Sequence, residues 1–509
     1  MLISFVVLYL LGTLAIGVWA GTRVKTTTDF AIAGRSLPLI MVVTTTFATW
    51  FGAETVMGIP AKFVQGGLNA VVEDPFGAGT CLILVGLFFA AKLYRMNLLT
   101  IGDFYRKRFG KGIEVFCSVA IILSYLGWVA AQITALGLVF SVLTGGAMSE
   151  NMGMLVGTLA VLIYVVVGGF LAVAWTDFIQ MIVLVIGLSI IAIYSASLAG
   201  GASQVLAVAT SGDLWRFWPE PSFKDIAFFL AAGVTMMLGS IPQQDVFQRV
   251  MSAKNAPTAS KGAVIGGVSY ILFAFVPMFI VSAAVVVMGK EAMELARGDY
   301  QRLLPTFVLA KMPLVMQILF FGALLSAIKS TSSATLLAPS TSFVENILKN
   351  LRPHMSDRQQ LLATRWTIVI FAALVLSYAM AMKGTSIYEL VSGAYQVTLV
   401  AAFVPLAFGL YWPRATTQGA VFSVAAGMGV WILFFPQVSG WSEAFPGQLA
   451  GLLAALAGMV AGSLMPQRLR NRHEWVHMLE PAHAAHAAHG AHAQGAHGVH
   501  GDAHPKHRA

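Results

Sequence analysis

Charge is what this sequence has least of. Asp, Glu, Lys and Arg make up 10% of its 509 residues, against roughly 25% in an ordinary soluble domain. A soluble globular chain of this length is thereby excluded. Cysteine is nearly absent as well: Cys81 and Cys117 both fall inside apolar runs and read as buried thiols, not a disulfide or a metal pair. The chain has no glycine-rich phosphate loop, nucleophile–base constellation or structured metal motif, so an enzyme is not expected, and no cofactor. What is present is apolar. Hydrophobic residues reach 58% and mean hydropathy is +0.78. Apolar runs of 18 or more recur from the first residue to about Gly462, each able to cross ~30 Å of hydrocarbon as a helix. An all-α polytopic membrane protein is expected.

The net charge of +9 could suggest a nucleic-acid partner, but the placement of the charges argues for a lipid bilayer instead. Basic residues gather in alternate loops: Arg23, Lys25 and Arg35; Lys92 to Lys111; Arg249, Lys254 and Lys261; Lys349 to Arg365; Arg414; and Arg468, Arg470 and Arg472. The loops between hold few, such as Arg216 and Lys224, or mix signs. That is the positive-inside pattern. It places the N-terminus outside, the C-terminus in the cytoplasm, and requires an odd number of spans. The first run, LISFVVLYLLGTLAIGVWAG, carries its positive charges after it, the reverse of a cleaved signal peptide, and reads as a retained helix.

Thirteen helices are expected, near 2–21, 38–64, 71–95, 113–144, 152–170, 172–199, 225–247, 262–288, 313–345, 362–382, 387–411, 416–435 and 446–465. They divide the chain into a leading helix and loop (1–37), a ten-helix core (38–411), two trailing helices (412–466) and a tail (467–509). The core falls into two groups of five. The first member of each is interrupted, by Gly52 and Gly58-Ile59-Pro60 in one and by Gly239-Ser240-Ile241-Pro242 in the other. Matched Gly/Pro breaks point to discontinuous helices and a binding site at the midplane, although membrane helices also tolerate both residues without one. The tail's last stretch, 480–509, holds eight of the eleven histidines in low-complexity sequence with nothing large to bury, so disorder is expected. Its spaced His483, His486, His489 and His492 could bind a metal weakly; a merely solvated tail is the plainer reading.

Within 313–345, Ala327, Ser330 and Thr331 share one helical face at ~100° per residue. One carbonyl and two hydroxyls there are hard donors suited to an alkali cation. Small-residue packing with hydroxyls bonded back to i−4 carbonyls would explain the same residues.

Five stretches carry a resemblance: AGRSLP (33–38), ATWFGAETVMG (48–58), YVVVGGFLAVAWTDFIQ (164–180), QQDVFQRVMSAK (243–254) and SAIKST (326–331). Through them the chain resembles the sodium:solute symporter family, which includes transporters of proline, pantothenate, monocarboxylates and glucose. The resemblance implies a LeuT-type 5+5 inverted repeat with one leading and two trailing helices. It also implies a sodium site between the first and eighth core helices. Ala48, Phe51 and Ala327 would give carbonyls, Ser330 and Thr331 hydroxyls, and Asp177 a nearby carboxylate. Glu54 and Thr55 would face the substrate cavity.

Lys329 departs from that family, which normally has an apolar residue at this position. No other charged residue lies between positions 312 and 344, and ~20 Å of helix separates Lys329 from either interface, beyond the reach of a snorkelling stem. It would lie on the far side of the helix from the cation face, among Leu325, Ser326, Ser332 and Ser333. It could be a neutral amine that carries protons, or a tethered cation replacing the coupling ion. It could also pair with an anionic solute or with Glu54, Glu73, Asp74 or Glu389, or be a tolerated substitution in a serine pocket. Asp74-Pro75 looks like a helix cap followed by proline, which leaves Glu73 as the better cavity residue. On the second broken helix, Met236, Gly239 and Ser240 are further cavity candidates, and Met236 and Gly239 stand where sugar-transporting members of that family carry polar and aromatic groups, which argues against a sugar.

The expected function is a secondary transporter of the inner membrane, coupling Na⁺ to a small organic acid or amino-acid-like solute. A proton-coupled carrier using Lys329 is the runner-up. A transporter-like solute sensor is the alternative from another class, though no signalling domain is appended.

Overall fold

The computed structural model describes residues 2–22, 26–435, 438 and 441–469, and every regular element among them is a helix. The histidine tail, with Arg470 and Arg472, lies outside the described residues, as do Arg23 and Lys25. Fourteen helical segments organise the chain: α1 (Leu2–Gly21), α2 (Leu39–Trp50), α3 (Glu54–Gly66), α4 (Leu68–Arg95), α5 (Lys111–Leu143), α6 (Glu150–Leu198), α7 (Phe223–Gly239), α8 (Gln244–Ser252), α9 (Ala256–Met288), α10 (Leu314–Leu351), α11 (Asp357–Ala381), α12 (Ile387–Tyr411), α13 (Thr417–Leu433) and α14 (Gly447–Leu464). Eight of these are long and apolar enough to cross a membrane, and ten spans result when each bent pair counts once.

The two bent pairs stand where the sequence breaks. Between α2 and α3 the axis turns by 56°, and between α7 and α8 by 46°. Phe51, with φ −89° and ψ 69°, ends α2. Ser240 to Gln243 separate the other pair. A third break lies in α6, where helices near 152–170 and 172–199 were expected. One 49-residue helix spans both, with its path interrupted at Gly169 (φ 55°, ψ −156°). This backbone is open to glycine almost alone, and a Cβ there would stand 2.8 Å from the Phe30 carbonyl oxygen. Gly169→Ala is therefore expected to cost at least about 1–3 kcal/mol, seen as a lower melting temperature in detergent.

Polar ends are satisfied locally. Ser149, Ser222, Ser356 and Thr416 cap the helices that follow them, accepting from backbone N–H groups three residues on. The turn before α2 and the end of α8 are also stitched together. Leu37, in the turn before α2, donates to Ser252 O at 2.9 Å and accepts from Lys254 N at 3.0 Å. Two of the five family-like stretches thus meet backbone to backbone. α2 packs against α6, α9 and α10, and α6 runs along α10, so the first break lies against the serine-rich segment of α10.

Candidate cation site at the first helix break

The break in α2 frees backbone groups that a continuous helix would pair internally, and α10 supplies side chains to meet them. Ser330 Oγ lies 3.0 Å from Ala48 O and 2.6 Å from Asp177 Oδ1. Thr331 Oγ1 donates to Thr49 O at 2.8 Å. Asp177, on α6 and wholly buried, accepts from Thr45 at 2.6 Å through its other oxygen. Ala48, Ser330, Thr331 and Asp177 are thus brought together. Phe51 sits at the break itself, and Ala327 lies on α10 one turn before Thr331; both are buried. A carbonyl, two hydroxyls and a carboxylate, all dry, are a hard-oxygen set suited to a monovalent cation.

Lys329 is not part of it. Its ammonium lies 4.4 Å from the centroid of the Tyr164 ring, on the side of α10 facing α6, and the residue is 3% exposed. The Tyr164 hydroxyl bonds Thr176, the neighbour of Asp177. The hydroxyls of Ser326, Ser332 and Ser333, its expected neighbours, donate to i−4 carbonyls, which leaves their lone pairs to accept. The aromatic face is what the sequence reading missed; such a contact is worth about 2 kcal/mol when desolvated. Of the carboxylates weighed as partners, Glu389 is largely exposed and pairs with Lys62 at 3.9 Å.

Beyond the break lies an acidic, aromatic region. Glu54 accepts from Trp128 Nε1 at 2.9 Å and Gln132 Nε2 at 2.6 Å. Thr55 meets the Tyr270 hydroxyl at 2.9 Å, and Tyr270 donates to Asp74 Oδ1 at 2.5 Å. Asp74 was expected to cap a helix; its carboxylate is instead buried and turned to Tyr270. Glu73 accepts from Ser392 at 2.7 Å. One oxygen each of Glu73 and Asp74 is buried with no hydrogen-bond partner in the structure. Trp50, Trp128 and Tyr395 present their rings to one another, with centroids 5.5–6.1 Å apart. On the second broken helix, Met236 is buried, the Gly239 carbonyl accepts from Thr398 at 2.6 Å, and Ser240 Oγ is buried without a partner.

Residues 30–427, most of the chain and all of the geometry above, match the family described as "Sodium:solute symporter family". The chain belongs to this family. Its relatives there include the high-affinity choline transporter 1 of Caenorhabditis elegans, 26% identical over 92% of this chain and 85% of that one. The high-affinity proline transporter PutP of Bacillus subtilis (strain 168) is 28% identical over 89% and 96%. In fold the symporter resembles a solved Na⁺-coupled sialic acid symporter, with a TM-score of 0.78 at 21% identity over 92% of this chain and 99% of the other. The family and these relatives are transporters.

One further pair lies beside the symporter's site and was not foreseen. Asp245 and Arg249, four apart on α8, are both buried. Asp245 accepts from Tyr125 at 2.5 Å and Trp50 at 3.2 Å. Arg249 donates to Thr49 Oγ1 at 3.0 Å through Nε and to the Asp245 carbonyl at 2.7 Å, tying α8 to the first break. The signal was available: opposite charges at i, i+4 in QQDVFQRV, inside a segment otherwise read as broken helix.

Proposed function

We propose that this symporter of the inner membrane, with its N-terminus outside and its C-terminus in the cytoplasm, couples Na⁺ to uptake of a small solute bearing a positively charged nitrogen. Na⁺ binds the carbonyls of Ala48, Phe51 and Ala327 and the hydroxyls of Ser330 and Thr331, with Asp177 offsetting its charge. The observation that carries this reading is Ser330 Oγ, which touches both the freed Ala48 carbonyl and Asp177 across the helix break. A cation there ties α2, α6 and α10 together. Its loss releases them, which is how the ion biases outward-facing against inward-facing populations. Lys329 does not replace the ion, because its ammonium is held over Tyr164.

The solute assignment rests on the half-satisfied carboxylates of Glu73 and Asp74 beside aromatic rings. Buried anions without full pairing favour a cationic occupant, and aromatic faces suit an ammonium. Choline and proline, named in two of the relatives, both carry such a nitrogen. This favours the amino-acid-like half of the sequence expectation over a simple organic acid. Glu54 and Thr55 frame the cavity from the first broken helix, and Met236, Gly239 and Ser240 from the second.

Proteoliposomes with an inward Na⁺ gradient test both parts. Radiolabelled choline or proline should accumulate under Na⁺ and not under K⁺, while acetate should not. Accumulation of acetate alone would overturn the solute reading, and uptake driven equally by a proton gradient without Na⁺ would overturn the ion. Asp74→Asn is expected to weaken the transported amine by roughly 10- to 150-fold, the ~1.5–3 kcal/mol of a charge-assisted contact, measured as a raised KM.

A further inference from the structure

The turn between α10 and α11 stands at a membrane–water interface, because both helices are long and apolar enough to cross a bilayer and one ends where the other begins. On the proposed orientation this is the cytoplasmic interface. A groove of about 510 Å³ opens at the turn. Arg352 and His354, in the turn itself, line its polar part, and Leu348, Leu362 and Trp366 line its apolar part. Among the described residues that line it none is acidic, and Asp357 in the first turn of α11 is not one of them. Glu345, near the end of α10, is already paired with Lys349 at 3.0 Å. Neither Arg352 nor Arg358 has an ion-pair partner among the described residues.

The groove continues into a track along α11. Arg358, Leu362, Trp366, Ile370 and Leu374 follow one another at four-residue spacing, so they form one inclined ridge of the helix. Arg358 is exposed, and the four apolar members are 56–59% exposed. From Leu362 to Leu374 the ridge runs ~18 Å at 1.5 Å per residue, close to the ~15 Å of hydrocarbon in one leaflet. Cations at the head of an apolar ridge one leaflet long complement a lipid with a negative headgroup. Arginine forks suit a phosphate, and a tryptophan suits the interface between headgroup and chain. A zwitterionic lipid offers the same phosphate but brings its own cation, so the paired arginines favour the anionic headgroup.

We infer that the groove between α10 and α11 binds one anionic phospholipid, its phosphate held by Arg352, His354 and Arg358 and one acyl chain laid along Leu362, Trp366, Ile370 and Leu374. The lipid ties the end of α10, the helix that carries Ser330 and Thr331, to the start of α11.

Native mass spectrometry of detergent-purified protein, given phosphatidylglycerol or phosphatidylcholine with the same acyl chains, tests it. Wild type should retain one phosphatidylglycerol under conditions that strip phosphatidylcholine. Arg352→Gln/Arg358→Gln should lower that affinity by roughly 25-fold, about five-fold for each arginine. Trp366→Ala should lower it with both charges in place. Lys261→Gln, which removes an exposed cation from α9, should leave it unchanged. The altered side chains are all exposed, so every variant should melt as wild type does in the absence of lipid. Equal retention of the two lipids overturns the site. So does an equal loss in Lys261→Gln, since the attraction would then belong to the whole basic surface. Displacement of the lipid by glycerol phosphate at matched concentration, or an unchanged Trp366→Ala, would assign the groove to a free phosphate and overturn the lipid. The readout needs neither Na⁺ nor solute. Its failure therefore leaves the proposed function standing, and a wild type that ignores Na⁺ leaves the lipid site standing.

Discussion

Replacing Arg249 with methionine is expected to destabilise the protein by about 3–5 kcal/mol, because it leaves the buried carboxylates of Asp245 and Asp177 without their compensating charge. The guanidinium is 2% exposed and donates to Thr49 and to the Asp245 backbone. It is the positive charge that bears on both Asp245 and Asp177. Methionine would fill much of the same volume, so the loss reports charge and hydrogen bonds more than packing. Asp245→Asn combined with Arg249→Met should recover part of the stability, because the double variant leaves no uncompensated charge on α8. Melting temperatures of the two variants in detergent check this. Equal melting of wild type and Arg249→Met would show that the pair does not hold the second broken helix to the first.

Ser330→Ala and Thr331→Ala are each expected to weaken Na⁺ by roughly 10- to 150-fold, from the ~1.5–3 kcal/mol of a hydrogen-bonding group facing a charge. Together they should remove Na⁺ dependence within any practical salt range. The two changes are not expected to add, since both hydroxyls line one site. Folding should survive, because alanine suits a helix interior and the carbonyls they leave belong to an already broken turn. Na⁺-dependent uptake in proteoliposomes, read as the Na⁺ concentration for half-maximal rate, distinguishes this from a general loss of fold.

Much of this architecture was legible because it is written in local chemistry. Gly52 in one half, and Gly239 and Pro242 in the other, weaken helices wherever they stand, and both breaks were found there, whereas the expected interruption at Gly58-Ile59-Pro60 is absent: α3 runs on through these residues. Ala327, Ser330 and Thr331 share a helical face by period alone, so their common orientation needed no tertiary information. The remainder depends on which helices meet. Nothing in the sequence near Glu54 announces Trp128 and Gln132, more than seventy residues away on α5. Lys329 could be placed on the far side of its helix, but the Tyr164 ring that receives it lies on α6. The Asp74-Pro75 pair misled for the opposite reason. Its local pattern fits a cap, yet Tyr270 on α9 captures the carboxylate, and tertiary context overrides the local preference.

The central claim is that Na⁺ binds at the break joining Ala48, Ser330 and Asp177. The most direct measurement is the thermal stability of detergent-purified protein titrated with NaCl, against KCl at equal ionic strength. A ligand that binds only the folded state stabilises it by about 2.7 kcal/mol at 100 times its Kd. The account predicts a saturable rise in melting temperature with Na⁺ that K⁺ does not reproduce and that the Ser330→Ala/Thr331→Ala variant lacks, while Lys329→Met retains it. Indistinguishable curves in the two salts for wild type would contradict the account, as would a response that appears only in Lys329→Met.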